Sequence, residues 1–107
     1  MAKNDHLGEF EQLALLAVMR LGDEAYGARI QEELDARGGR SAAISTIYIT
    51  LTRLEAKGLV SSSMGSSTAH RGGRARRYFR LEPAGVAALR DTRERLLAMW
   101  DGLEADL

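Results

Sequence analysis

The sequence predicts a mainly α-helical fold with one small β-hairpin, built as one compact domain. Apolar residues recur at three- and four-residue spacing in four segments, which is the period of helices buried on one side. Between the third and fourth segments the pattern changes to alternation bounded by glycine and serine, which indicates two paired strands. The chain of 107 residues is long enough for one hydrophobic core and too short for two.

The first predicted helix covers residues 8–21 and is ended by Gly22. Its apolar residues at helical spacing are Phe10, Leu13, Ala14, Ala17 and Leu21. Further apolar residues cover the other faces of its second half, at Leu15, Leu16, Val18 and Met19. A short helix without a polar stripe has two protein surfaces to bury against. We expect one of them to belong to a second subunit.

A second helix is predicted from about Ala25 to Arg37, with Asp23 or Glu24 as its N-terminal cap. Two glycines follow it and provide its end. The apolar line of this helix consists of Tyr26, Ile30 and Leu34. Gly27 lies in the first turn, where glycine is tolerated if another backbone approaches closely. The sequence therefore predicts a tight helix crossing at Gly27.

The third helix is predicted over residues 43–57 and is ended by Gly58. Its buried side is assigned to Ile44, Ile47, Tyr48, Leu51 and Leu54. Its outward face is assigned to Ser45, Thr46, Ile49, Thr50 and Arg53. That face carries three hydroxyls, one guanidinium and one aliphatic side chain, and no carboxylate. A solvated face usually mixes both charge signs, so this composition favours contact with base edges and phosphates.

Two strands are predicted after this helix, one opening at Leu59 and Val60 and the other covering residues 77–81, with a tip turn at the Gly72-Gly73 pair. Residues 61–81 contain five arginines and no acidic residue, whereas acidic residues outnumber basic ones on both sides. A solvated loop is the alternative, but the uniform charge favours phosphate contact. The predicted contacts are Arg71, Arg74, Arg76 and Arg77.

The last helix is predicted to begin at Pro83 and to continue to the end of the chain. One apolar seam at heptad spacing runs through Gly85, Leu89, Thr92, Leu96, Trp100, Leu103 and Leu107. A polar helix with one seam predicts an oligomerisation element, here a dimer contact through Leu89, Leu96, Trp100 and Leu103. We expect residues 1–82 to form the nucleic-acid-binding part and residues 83–107 the dimerisation helix. Trp100 is favoured as an interface anchor over a ligand-stacking platform.

Composition and motifs exclude several classes of protein. The chain has no cysteine, and its two histidines are far apart without matched carboxylates, so we expect no metal site and no cofactor. Paired catalytic carboxylates, a nucleophile beside a base and a phosphate-binding loop are all missing, so an enzyme is not expected. No apolar run could span a bilayer or act as a secretion signal, which favours the cytoplasm. A helical module that docks proteins instead of DNA remains the alternative.

Three helices followed by a basic hairpin are typical of the winged helix-turn-helix. The segments LGEFEQLALLAV, AYGARIQEEL, IYITLTRLEAKGLV and RGGRARRYFRLEPAG together resemble the PadR family of transcriptional regulators, over Leu7 to Gly85. The resemblance implies a homodimer that binds an inverted-repeat operator and usually represses. It also implies DNA contact by Tyr48 and, in some members, a phenolic or flat aromatic effector at the dimer interface, which raises the ligand role of Trp100.

The chain departs from the family pattern at two positions of the third helix. Ile49 stands where the family often has proline, so the family's base preference near this position does not carry over. Ala43 stands where many relatives have a serine that caps the helix, which leaves Ser45 as the candidate cap.

Overall fold

The computed structural model describes residues 6–65, 76–103 and 105. Its elements are helix α1 (Glu9–Leu21), a 3-10 turn (Gly22–Glu24), helix α2 (Gly27–Ala36), helix α3 (Ile44–Ala56), strand β1 (Val60–Met64), strand β2 (Arg77–Leu81) and helix α4 (Pro83–Trp100). The predicted class, mainly α with one small hairpin, is confirmed. Residues of the hairpin tip lie outside the described part of the chain, namely Arg71, Arg74, His70 and the Gly72-Gly73 pair.

The first two helices differ in how the backbone N–H groups at their N-termini are capped. At the start of α1, the amide of Gly8 donates to the Glu11 carboxylate at 2.9 Å. The predicted caps of α2 are wrong, because Asp23 and Glu24 lie in the 3-10 turn and the residue before α2 is Tyr26. Tyr26 is extended and gives no side-chain cap, so α2 begins without one.

The hydrophobic core lies between the first three helices, the hairpin and the start of α4. Its largest fully buried side chains are Leu15, Val18, Ile30, Ile47, Leu51, Leu54 and Val60. Phe79 of β2 and Leu89 of α4 complete this cluster. Burial of each such side chain contributes roughly 1.5–3 kcal/mol before entropy is counted, so this shared core holds the hairpin against the helices.

The hairpin is antiparallel, and its register pairs Val60 with Leu81 at one end and Met64 with Arg77 at the other. The segment before α2 adds to its outer edge, because the amide of Phe79 donates to the carbonyl of Ala25 at 2.9 Å. Strand β2 is therefore hydrogen-bonded on both sides, which fixes the base of the hairpin against the helices.

Helix α4 begins close to the backbone that joins α3 to β1. The amide of Glu82 donates to the carbonyl of Leu59 at 2.9 Å. In the first turn, a Cβ atom at Gly85 would collide with that same carbonyl oxygen and would lie 2.9 Å from Cδ1 of Leu81. Only glycine allows this approach.

The prediction that the last helix continues unbroken past Trp100 is wrong, and Leu107 of the predicted seam lies outside the described residues. Helix α4 ends at Trp100, and a turn follows in which Gly102 has a φ of +84°. Leu103 lies in that turn rather than on the helical seam. In the ranges that the structure describes, no helix combines the length and apolar character needed to cross a lipid bilayer.

Candidate nucleic-acid interface

Helix α3 presents a polar face away from the core. Its exposed side chains are Ser45, Thr46, Ile49, Thr52 and Arg53, joined by Ile44 at the helix start. The assignments of Thr50 to this face and Ile44 to the buried side are wrong, because Thr50 is 7% exposed and Ile44 is 37% exposed. At 100° per residue, Thr50 falls beside the core residues Ile47 and Leu54.

Thr52 is the residue that the sequence prediction missed on this face. It lies about one turn after Ile49, beside Arg53, and is exposed. Arg53 has no ion-pair partner among the described residues, so its guanidinium is available to a ligand. The helix that carries them begins after Ala43, which has an extended backbone and no side-chain cap. Ser45 is therefore inside the first turn, and its predicted capping role is wrong.

Tyr48 lies half-buried at the edge of this face. Its ring packs against Phe79 with centroids 6.0 Å apart. A Cβ atom at Gly27 would be 2.8 Å from the Tyr48 hydroxyl oxygen. The predicted close approach at Gly27 is thus present, but an aromatic side chain makes it rather than a backbone. Gly27 and Tyr48 together set how closely α2 packs on α3.

Arg76 immediately precedes strand β2, and its guanidinium stacks on one ring of a pair of tyrosines. Its guanidinium carbon is 4.1 Å from the centroid of the Tyr26 ring. Tyr26 in turn meets Tyr78 edge to face, with centroids 5.4 Å apart. Such stacking restrains the arginine while leaving its N–H groups able to bind an anion.

Arg77 has a different environment, which we call the wing clamp and define as Glu55, Ser62 and Arg77. Its guanidinium donates to the Glu55 carboxylate at 2.8 Å and to the Ser62 hydroxyl at 3.1 Å. Ser62 donates to the same carboxylate at 3.0 Å. The predicted phosphate contact at Arg77 thus competes with partners inside the chain. The wing clamp ties the last turn of α3 to both strands.

Loss of the wing clamp is expected to cost stability. In a double-mutant cycle, Glu55→Ala and Arg77→Ala should each lower the free energy of unfolding by about 1–2 kcal/mol, with a coupling of about 1 kcal/mol. Urea unfolding measures these values. The control cycle is Arg29→Ala with Glu32→Ala, an exposed pair within one helix, for which we expect a much smaller coupling because solvent screens it. Equal coupling in the two cycles would contradict the clamp.

A second surface, on the side of α1 and α4, is apolar. An open groove of about 410 Å³ lies between these helices, and Arg90 and Arg93 form its polar rim. Its exposed apolar side chains are Leu16, Met19, Leu96 and Leu97; we call this surface the α1–α4 groove. Leu89 lies at the floor of the groove and is only 8% exposed, so its predicted place in a dimer contact is largely taken by the core of its own chain.

Helix α2, the exposed polar face of α3 and the hairpin beside it define a winged helix-turn-helix, the class of protein that places a helix in the major groove of DNA. Residues 15–91 match the model of the transcriptional regulator PadR-like family. The match covers more than half of the chain, and the chain belongs to this family. It is therefore a member of a family of DNA-binding regulators and not of enzymes.

Individual relatives agree with this assignment. Transcriptional regulator Rv3488 of Mycobacterium tuberculosis is 43% identical over 74 residues, which are 69% of this chain and 64% of that protein. A PadR family transcriptional regulator from Eggerthella lenta superposes with a TM-score of 0.66 at 28% identity, over 89% of this chain and 82% of that one. Bacillus subtilis PadR, solved in complex with operator DNA, has the same fold with a TM-score of 0.63 at 22% identity, over 78% of this chain and 47% of that chain.

Proposed function

We propose that the chain is a sequence-specific DNA-binding regulator that represses transcription as a homodimer on an inverted-repeat operator. The observation that carries the proposal is the exposed face of α3, which offers hydroxyls and the guanidinium of Arg53 without an opposing carboxylate. The one acidic residue of α3, Glu55, is held in the wing clamp. The complex of Bacillus subtilis PadR with operator DNA supports the same use of the fold.

The two parts of the interface have different roles in this proposal. Helix α3 reads base edges through Ser45, Thr46, Thr52 and Arg53, with Tyr48 at the rim. The wing, by which we mean the hairpin of β1 and β2 with the residues between them, neutralises phosphates through Arg71, Arg74 and Arg76, and so positions α3 without reading sequence. Residues 1–82 carry the DNA-binding surface, and residues 83–107 hold the dimer together with the apolar face of α1.

Selection from a random duplex pool tests this function. The purified protein should enrich one inverted repeat with half-sites about one helical turn apart, because two α3 helices in a dimer enter successive major grooves. The enriched duplex should bind at least about a thousandfold more tightly than bulk DNA at about 150 mM salt. A reporter gene behind that repeat should be repressed. If no sequence is enriched, the alternative of a protein-docking module is favoured over DNA binding.

The division between positioning and reading predicts two kinds of variant. Arg74→Ala with Arg76→Ala should weaken binding to every duplex, and the slope of log affinity against log salt should fall by about one unit for each phosphate that is no longer neutralised. Thr52→Ala or Arg53→Ala should instead change the preferred bases. Fluorescence anisotropy on the selected and scrambled duplexes, over a series of salt concentrations, measures both effects. The same loss on both duplexes from both sets would contradict the division.

The α1–α4 groove is the surface that we assign to the second subunit. Its exposed leucines and Met19 lie on the facing sides of α1 and α4. Trp100, four residues after Leu96, falls on the same side of α4, and Trp100 and Leu103 are also exposed. Contiguous exposed apolar area of this kind is typical of an interface. The expectation from the first helix, that one of its surfaces serves a partner, narrows to Leu16 and Met19, since Leu15 and Val18 lie in the core.

Trp100 serves in this proposal as an interface anchor. We also propose that Trp100 stacks on a small aromatic effector, a role that the family resemblance implies for some members. An effector of this kind has to bind the free and operator-bound conformations with different affinity. Tryptophan emission, titrated with a panel of planar aromatic compounds, should then change saturably with the same midpoint as operator release. If no compound changes either the tryptophan emission or the operator affinity, Trp100 has only a packing role.

A further inference from the structure

We propose that Ile49 reads the 5-methyl group of a pyrimidine, thymine in ordinary DNA, at one position of each operator half-site. The inference rests on the proposed function and deepens it, because it assigns a specific contact to the one apolar side chain in the middle of the polar face of α3.

Ile49 occupies the centre of that face. Its side chain is 58% exposed, although isoleucine is among the residues most often buried. At 100° per residue it points opposite the midpoint of the core residues Ile47, Leu51 and Leu54, and it stands between Ser45 one turn before and Thr52 about one turn after. In the proposed complex Ile49 therefore faces the floor of the DNA major groove directly, whereas Arg53 lies toward one side of the helix face.

The chemistry of the side chain limits what it can recognise. Its neighbours Ser45, Thr46, Thr52 and Arg53 carry hydrogen-bonding groups, but Ile49 has none. In the major groove, the thymine methyl is the one apolar group that a base pair presents. An aliphatic side chain over a cytosine amino group or a guanine oxygen would remove water from a polar atom without replacing its hydrogen bond. Because isoleucine is branched at Cβ, its χ1 is restricted and little side-chain entropy is lost on contact.

A scan with 2′-deoxyuridine tests this inference on the duplex that the protein itself selects. Deoxyuridine differs from thymidine only by the missing 5-methyl group. Single replacements should leave affinity unchanged at most thymines and lower it about fourfold at one position of each half-site, the value for one buried methyl group. Replacement in both half-sites should lower affinity about fifteenfold, if the two contacts add. A flat scan overturns the inference, while the selection itself still supports sequence-specific binding.

Variants of Ile49 test whether this side chain causes the difference in affinity between the thymine and uracil duplexes. Ile49→Ser should bind the thymine and uracil duplexes equally. Ile49→Val, which keeps the branch at Cβ and loses only the δ-carbon, should retain most of the ratio. Thr52→Ala is the matched control on the same face, and it should retain the full ratio at this position. A ratio that survives in Ile49→Ser overturns the inference. Since Ile49 is exposed, thermal unfolding should confirm that both variants fold.

A second arm separates the methyl group from the rest of the thymine edge. The responsive pair is replaced by a cytosine–guanine pair, with and without a 5-methyl group on cytosine. The native chain should bind the methylated form about fourfold more tightly, and Ile49→Ser should not distinguish the two. Equal binding of both forms by the native chain overturns the methyl contact. If the selection enriches no sequence, the proposed function fails and the inference fails with it.

Discussion

A Leu96→Glu variant is expected to be monomeric and to bind the selected operator about a hundredfold or more weakly than the native chain. The side chain of Leu96 is half exposed in the α1–α4 groove. A carboxylate there would lose its water in the dimer, which costs several kcal/mol. Arg93 at the rim, three residues earlier on α4, would offset only a small part of that cost. A monomer makes only half of the contacts and loses the effective concentration that joins the two half-sites.

Sedimentation and operator affinity test the two parts of this prediction separately. The control is Ala98→Glu, which adds the same charge at an exposed position on the other side of α4; it should remain dimeric and bind normally. A Leu96→Glu variant that stays dimeric would place the interface elsewhere. A monomeric variant with full operator affinity would separate dimerisation from DNA binding.

A Gly85→Ala variant is expected to lose about 3 kcal/mol of unfolding free energy, a large part of the stability of a small domain. The added methyl group would meet the Leu59 carbonyl oxygen, which belongs to the backbone and cannot move aside as a side chain would. Relief requires α4 to lift from the core, which exposes Leu89. Thermal and urea unfolding measure the loss.

The matched control for this variant is Gly8→Ala. A Cβ atom at Gly8 would have only the Glu11 carboxylate nearby, at 3.8 Å, and the residue has a φ of −71°. The change should cost about 1 kcal/mol or less, the usual cost of alanine at a helix N-cap. Equal losses in the two variants would contradict the role of the Leu59 contact, since alanine has the higher helix propensity and would stabilise α4 if it met no obstacle.

Periodicity predicted the helices well because most of their apolar residues lie in one core. The outward face of α3 was harder to predict, because a threonine carries both a methyl and a hydroxyl group. Thr50 and Thr52 are chemically identical, and only angular arithmetic relative to Leu51 and Leu54 separates the buried one from the exposed one. The end of α4 at Trp100 also had an available signal, since Gly102 adopts the left-handed conformation that ends helices.

The charge count of the hairpin could not predict how each arginine is used. Arg76 and Arg77 are neighbours in an acid-free segment, yet one stacks on Tyr26 and the other is paired with Glu55. That pairing joins residues 22 positions apart. It depends on the register of the hairpin and on the direction of α3, which no local pattern contains.

The contact between Gly85 and Leu59 has a mechanical consequence for a regulator of this design. Leu59 belongs to the short connection between α3 and the hairpin, and α4 rests on its backbone with no side chain between them. Because no flexible side chain separates the two backbones, a tilt of α4 displaces the connection between α3 and the hairpin directly. In a dimer held through α4, a change in the angle between the two subunits would therefore be transmitted to both DNA-reading surfaces as a change in their separation.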